Sequence, residues 1–535
     1  MSGMVRDADD VLRVAITLPY LYSVRDFLFT PVWDEMARRE HVTFLLLNGD
    51  PAVGDEISRR GCQNIEFVKF PPQAPPRSQT GAAASRRLPL SAYERGRQFL
   101  RHLDRVYIFD SLVQRFAAVN GLSHYSIRAQ RSPQERSRQQ ILSDYRRGAT
   151  ISRPLPESIA MFRSLYEIRH GPLNYVLRSD ADFLRHLHAD LFVFGRLHLL
   201  STAYWARALR RLRVPMIGIV SSWDHPTTKG ATPKGMSGYV VASERMVEEM
   251  VGLHGIEKAK VHQVGKVQMD QHANLGTFAN REDFLARLGV PVTHKLVTFG
   301  TNARGLKEHE VSIAHRLAGD FIDGRYGRAT LLLRTHPQDR DWERDFLSLA
   351  KPPHVICLSA ASFGLRPAEA LTNAADDQSV LANLMKHSDI VIQSRGSLAL
   401  DAIALDTPVI SLAFDGDLNR PPNDSFLLEY AFEHYKPIVA AQGTWMVGSY
   451  DALERAIRGY LDDRSLHSEG RRRILKEQIE PLDGKASLRL VDYLVDSAMQ
   501  SRQGTIPQGD WNHTGLGDVT WASRQICRVE DYVDR

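Results

Sequence analysis

Two doubly wound α/β domains facing one another across a cleft are what this chain of 535 residues predicts. Three observations carry the expectation. The length exceeds what a single hydrophobic core supports, so two or more domains are expected. Short β-branched runs alternate with helical patterns twice over, on either side of residues 280–290. The residues able to do chemistry stand just after those runs, where open parallel sheets bind ligands.

The first half opens with an apolar strand pattern at 11–17, a helix pattern at 29–39, and strand runs at 42–47 and 65–70. That β–α–β start is the opening of a Rossmann-like domain. The Pro/Ala/Ser loop PPQAPPRSQTGAAAS interrupts it and leads into a basic helical insertion, with 71–188 as its bounds. Strand runs resume at 189–194, 214–220, 238–242 and 260–264. The second half repeats the scheme. A strand at 296–299 ends in Gly300-Thr301-Asn302, and a helix follows at 308–318. A strand at 329–334 ends in Thr335-His336-Pro337, where proline stops the pairing. Another strand lies at 355–358. The β-branched run 389–393 passes into the small polar turn Ser394-Arg395-Gly396-Ser397. Apolar residues then recur at helical spacing over 398–404, and Pro408 precedes a strand at 409–414. Helices are expected at 450–461, 465–478 and 486–497. The division is an N-terminal domain 1–280, a C-terminal domain 290–480, a C-terminal helix 481–500 and a tail 501–535.

Hydrophobic content of 43% and charged content of 24% belong to a soluble globular protein. No apolar run approaches the ~20 residues that span a bilayer, and the polar, acidic start does not resemble a signal peptide. Three scattered cysteines, Cys62, Cys357 and Cys527, exclude a disulfide framework and a zinc site and fit a reducing cytoplasm. The net charge of +5 is uneven: residues 71–150 hold 14 Arg, no Lys and 5 acidic residues, a local +9. Such a segment suits anionic lipid on the inner membrane face, an acidic polymer, or plain solvation as an arginine-rich helical insertion. Nucleic acid is not the expected partner, because no finger or RNP-type motif accompanies the arginines.

Four constellations carry chemistry. In DIVIQSRGSLALDAIALDTPVISLAFD (389–415), a strand, a Gly/Ser turn and a helix start make an anion site. Ser394, Gly396 and Ser397 would offer hydroxyls and bare backbone to a phosphate, with Asp401 one turn on to hold a ribose hydroxyl. In LLLRTHPQD (331–339), Arg334 and His336 at a strand end could bind a diphosphate and stabilise a departing nucleotide. Thr301 follows the neighbouring strand. In SSWDHPTTKG (221–230), Asp224 or His225 could take a proton from an acceptor hydroxyl, with Lys229 nearby. In VGKVQMD (264–270), Gly265 allows a tight turn and Lys266 could face the cleft. Asp415 to Asp424, with Glu429, Tyr430, His434 and Tyr435, form a loop able to close over a base or sugar, though an ordinary loop is the favoured reading there. The bland readings are an ordinary βαβ turn, a surface His-Pro turn, a Trp-anchored loop and a linker turn. His186 and His188 have no third partner, so a solvated helix face is expected there, not a metal site.

The chain has no GxxxxGK[ST], no GxGxxG after its first strand and no GxSxG elbow. These absences argue against an NTPase, a nicotinamide or flavin enzyme and an α/β-hydrolase. No paired carboxylates follow a core strand, so neither a metal-dependent diphosphate grip nor a cofactor is expected.

Together these residues resemble a GT-B-type transferase. His336-Pro337 matches the HP motif of that fold's nucleotide-binding domain, and Ser394 to Ser397 with Asp401 matches its Gly/Ser helix-start motif. The nearest likeness is to CDP-glycerol glycerophosphotransferase-like and bacterial surface-polysaccharide transferases. Their HGTP-type loop has a counterpart in Asp224 to Lys229, which lacks the glycine after His. Their Asp-Tyr-Ser-Ser type motif reads SRGS here, and Val267 replaces proline in a G-x-P-x-x-D turn. The resemblance covers roughly 189–495 and implies a cytoplasmic, metal-independent glycosyltransferase-type enzyme of surface-glycan or capsule synthesis. It would move a sugar or polyol phosphate from a nucleotide-activated donor to a glycan or lipid-linked glycan acceptor. A non-hydrolysing nucleotide-sugar 2-epimerase and a non-catalytic nucleotide-binding scaffold are the rivals, since fold alone does not fix function.

Overall fold

The computed structural model describes residues 11–19, 21–70, 178–198, 202–228, 232–233, 235–273, 279–302, 308–336, 339, 341–359, 374–418, 430 and 434–509. Most of the basic insertion, including all of 71–150, lies outside the described residues, as do Lys229 and the part of the tail from 510 onward.

Two parallel sheets form. The first holds β1 (Leu12–Thr17), β2 (Val42–Asn48), β3 (Ile65–Lys69), β4 (Leu191–Phe194), β5 (Met216–Ile219), β6 (Gly238–Val241) and β7 (Val261–Gln263), in the order β3-β2-β1-β4-β5-β6-β7. The second holds β8 (Lys295–Gly300), β9 (Ala329–Thr335), β10 (Val355–Ser359), β11 (Ile390–Gln393), β12 (Val409–Leu412) and β13 (Trp445–Val447), in the order β10-β9-β8-β11-β12-β13. Both are Rossmann-like and α/β, as the sequence predicts. Each changes winding direction between its first and fourth strands, β1/β4 and β8/β11, and ligands bind at such switch points. The inner strands are almost wholly buried, which is why they read as continuous apolar runs rather than alternating ones, while the edge strands β3, β7 and β10 are only partly so. β13 was not expected: three residues are too short a run to announce a strand.

Several helices depart from expectation. The helix expected at 29–39 is shorter, Val32–Ala37, and a separate, unexpected helix, Leu21–Leu28, precedes it. Pro31 has no N–H to continue the ladder, and the Thr30 hydroxyl bonds the Asp26 carbonyl at 2.5 Å instead. The helix at 465–478 is Ser468–Ile474 followed by a π-type turn, Leu475–Ile479. The helix after β11 is shorter than expected, Leu398–Ile403.

The C-terminal helix, Ala486–Arg502, leaves the second half and packs on the first. Leu490, Val491, Leu494, Val495 and Ala498 recur at i, i+4 spacing and join the core under β1, β2 and β4. Ile506 belongs to the same core, so the first residues of the expected tail are packed chain. Asp270, closing the VGKVQMD segment, fixes this return: its carboxylate accepts the backbone N–H groups of Ala486 at 2.9 Å and Ser487 at 2.8 Å. Gly265 takes φ +98°, the tight turn expected there.

Among the described residues no helix is long and apolar enough to cross a membrane, and no group of three or more His, Cys, Asp or Glu is arranged to hold a metal ion. His186 is exposed in the last turn of the helix Arg178–His186.

Candidate functional site

The carboxyl ends of β9, β8 and β11 lie side by side in the second sheet. Gly300 pairs in register with Arg334 on one side and Gln393 on the other. Register partners in a parallel sheet point to the same face, so the Arg334 and Gln393 side chains flank a bare glycine. A Cβ on Gly300 would lie 2.1 Å from Leu398, so only glycine lets the helix Leu398–Ile403 approach this edge. Arg334 is 5% exposed, a cation held at the lip of a sheet. His336 follows it, half-buried. Burial draws its imidazole below the ordinary value, with Asp339 opposing and Arg334 reinforcing, which favours a neutral ring at neutral pH. Among the described residues the buried Thr301 hydroxyl has no hydrogen-bond partner.

The turn after β11 is built as an open cradle in part only. Gly396 has φ +133°, a conformation that favours glycine, and a Cβ there would meet nothing within 4 Å. Ser397 is exposed at the start of the helix, and its hydroxyl makes no capping bond. Ser394 corrects the expectation. Its hydroxyl does not face outward: it donates to the Glu310 carboxylate, and its oxygen lies 2.9 Å from His309 Nε2. With six residues, the helix Leu398–Ile403 also supplies less dipole than a long helix would. The positive charge comes instead from Arg334 and from Arg395, which is also buried.

Asp401 lies where expected along the helix, but its carboxylate is engaged across the junction. Lys266 Nζ is 3.5 Å away and His272 Nε2 4.0 Å. Burial lowers the His272 imidazole, with Asp401 opposing, so Lys266 is the cation of this contact. Asp415 is half-buried beyond β12, one strand removed from the switch point.

The first half contributes the loop after β5. The Ser222 hydroxyl donates to the half-buried Asp224 carboxylate at 2.6 Å. His225 opens a four-residue helix, His225–Thr228, and is buried. Arg196 Nη2 stands 3.5 Å from its Nε2; a guanidinium only donates, so it faces the ring's basic nitrogen. The loop reaches the other half directly. Thr227 Oγ1 is 2.8 Å from His434 Nδ1, and Trp223 packs edge-on against His434 with centroids 4.6 Å apart, and against Tyr435 at 5.5 Å. The Tyr435 hydroxyl receives the Gln393 side-chain N–H at 3.1 Å, so the contact runs from the first half's loop to the end of β11.

The structure thus brings Thr301, Arg334, His336, Gly396 and Ser397 to one edge, and Asp224 and His225 to a loop that touches its neighbour Tyr435. Sequence reasoning missed Glu310, Arg395 and Gln393 as members of this region; it placed Tyr435 in a loop over a base or sugar and read Trp223 only as a loop anchor. Arg395 was visible in SRGS as a charge inside an otherwise small turn. Glu310 gave no signal, since an acidic residue in a helix's first turn is ordinary.

No family model matches this sequence, and no curated protein does. Solved structures with a similar overall course include a putative UDP-N-acetylglucosamine 2-epimerase from Listeria monocytogenes, 10% identical with a TM-score of 0.49, covering 92% of this chain and 97% of that one. A glycosyltransferase from Rickettsia africae is 9% identical with a TM-score of 0.42, covering 91% and 99%. The wall teichoic acid polymerase TagF is 10% identical with a TM-score of 0.44, covering 93% and 92%. At these values the likenesses carry no functional argument, and the functional reading rests on the residues.

Proposed function

We propose that this protein is a GT-B-type transferase that moves a sugar, or a polyol phosphate, from a nucleotide-activated donor to a glycan hydroxyl. One observation carries the reading: an edge with buried Arg334 and Arg395 lies at the β8/β11 switch point, and a loop bearing Asp224 touches it from the other half. Arg334, Arg395 and neutral His336 would grip the diphosphate, with Thr301, the Gly396 backbone and the Ser397 hydroxyl adding donors. Asp224 is the better base, because the basic nitrogen of His225 faces a guanidinium. Asp224 would take the acceptor hydroxyl's proton as that oxygen attacks the activated carbon or phosphorus. The bond to the nucleotide breaks in the same event, and its growing negative charge falls to the arginines. Asp401, held by Lys266, would meet a ribose only by exchanging that partner.

The test is a thermal-shift and turnover panel of UDP-, CMP-, CDP-, GDP- and dTDP-linked compounds on the wild type, His336→Ala and Ser397→Ala. A true donor at about 100 times its Kd stabilises the native state by about 2.7 kcal/mol. His336→Ala and Ser397→Ala should each weaken donor binding about tenfold, the loss of one hydrogen bond to a charged group. Unchanged affinity and turnover in both variants would remove this edge from consideration. Interconversion of a nucleotide sugar without acceptor would replace the transferase by an epimerase, and binding without turnover by a scaffold.

Trp223→Ala should separate the halves' roles. It removes the aromatic contact with His434 and Tyr435 while leaving Arg334 and the turn intact. Donor KM should change less than about threefold while kcat falls about tenfold or more, because misplacing the acceptor loop costs orientation. A donor KM that rises as much as kcat falls would count against this division.

A further inference from the structure

The cradle is braced from inside by a carboxylate that the proposed chemistry does not use. Glu310 lies in the first turn of the helix Glu308–Ile322 and is fully buried. Its Oε2 accepts the Asn302 backbone N–H at 2.7 Å, and its Oε1 accepts the Asn302 side-chain amide at 2.7 Å and the Ser394 hydroxyl. One carboxylate therefore ties the loop leaving β8 to the turn leaving β11, beyond the point where sheet hydrogen bonds between those strands end. Among the described residues, Arg395 on the turn, His309 on its own helix with Nε2 at 3.9 Å, and Tyr430 are the charged or titratable groups that face it.

Burial pushes the Glu310 carboxyl up to about 7, against the hydrogen bonds from Asn302 and Ser394 and the charge of Arg395. It stands near neutrality between two states with different consequences for Ser394. Ionised, it consumes the serine's only hydrogen. Protonated, it can donate to the serine oxygen and release that hydrogen from the carboxylate. A nucleoside diphosphate arriving beside Arg334 and Arg395 brings at least two negative charges into the same low-dielectric region. Like charges so placed cannot both stay fully ionised without cost.

Resting on the nucleotide-donor reading above, we propose that Glu310 is the positioning residue of the cradle and that a nucleoside diphosphate is bound together with a proton taken up by this carboxylate. The free protein is partly ionised at Glu310 near neutrality and the complex is less so. Affinity therefore falls as pH rises through and above about 7, where the free carboxylate has lost its proton.

The experiment is titration calorimetry of the full chain with UDP, CDP, GDP and dTDP, in buffers of different ionisation enthalpy at and above neutrality. Wild-type protein should take up a fraction of a proton per ligand bound. Glu310→Gln carries a neutral side chain of the same shape. It should lose that uptake and flatten the pH dependence of binding. Glu310→Ala breaks the link between loop and turn and should weaken binding at least about tenfold. If the alanine variant does not fold, the glutamine variant decides alone. Equal proton uptake in wild type and Glu310→Gln assigns the proton elsewhere, His336 first, and overturns the inference while the donor site stands. If none of the four nucleotides binds wild type, both readings fall together.

Discussion

Arg334→Ala is expected to lower kcat/KM for the true donor about 10²–10³-fold, the scale seen when a preorganised group facing developing charge is removed. The guanidinium is buried at the end of β9, beside Gly300, and the Arg334 carbonyl accepts the Thr301 N–H at 3.0 Å. Its backbone contribution survives the substitution, so the loss reports the side chain. Arg334→Lys keeps the charge but not the planar fork and should recover only part of the activity. Steady-state kinetics with unchanged circular dichroism is the measurement. Activity within about threefold of wild type in the alanine variant would show that no diphosphate is held here.

Asp270→Ala should be the most damaging single change to the architecture. The buried carboxylate accepts two backbone N–H groups at the start of the returning helix Ala486–Arg502, and alanine strands both. A lost cap of this kind, with two buried donors left unpaired, costs about 3 kcal/mol. Amide exchange over residues 486–502 should accelerate about a hundredfold, the factor that such a free energy implies. Asp270→Asn keeps one acceptor oxygen and should fall between. Exchange unchanged in the alanine variant would mean that the apolar face of Leu490, Leu494 and Ala498 holds the helix without the cap.

The α/β class and nearly every strand were legible in the sequence, because a strand buried on both faces must be a continuous apolar run. β8, β9 and β11 could be placed to within a residue or two, and with them Thr301, Arg334 and Gly396 at the strand ends. The helix boundaries near 29–39 failed on one local fact, Pro31, whose effect depended on what Thr30 bonded instead. The paired motifs failed differently. Ser394 was identified as a hydroxyl beside a glycine, but whether it faces a ligand or the interior depended on Glu310, 84 positions away. Asp401 was identified as a carboxylate one turn into a helix, but its partner Lys266 comes from the segment joining the halves.

The sequence alone thus determined the class of fold, the two halves, and which strand ends carry cations, glycine and hydroxyls, because those properties follow from local apolar pattern and local turn chemistry. Only the tertiary structure decided which of those groups are turned inward and which remain open. It also decided that Trp223 reaches His434 and Tyr435 across the halves, and that Asp270 holds the chain's return. Each of these is a contact between residues far apart in the chain, made where loops and helices of the two halves meet, and no local pattern records that.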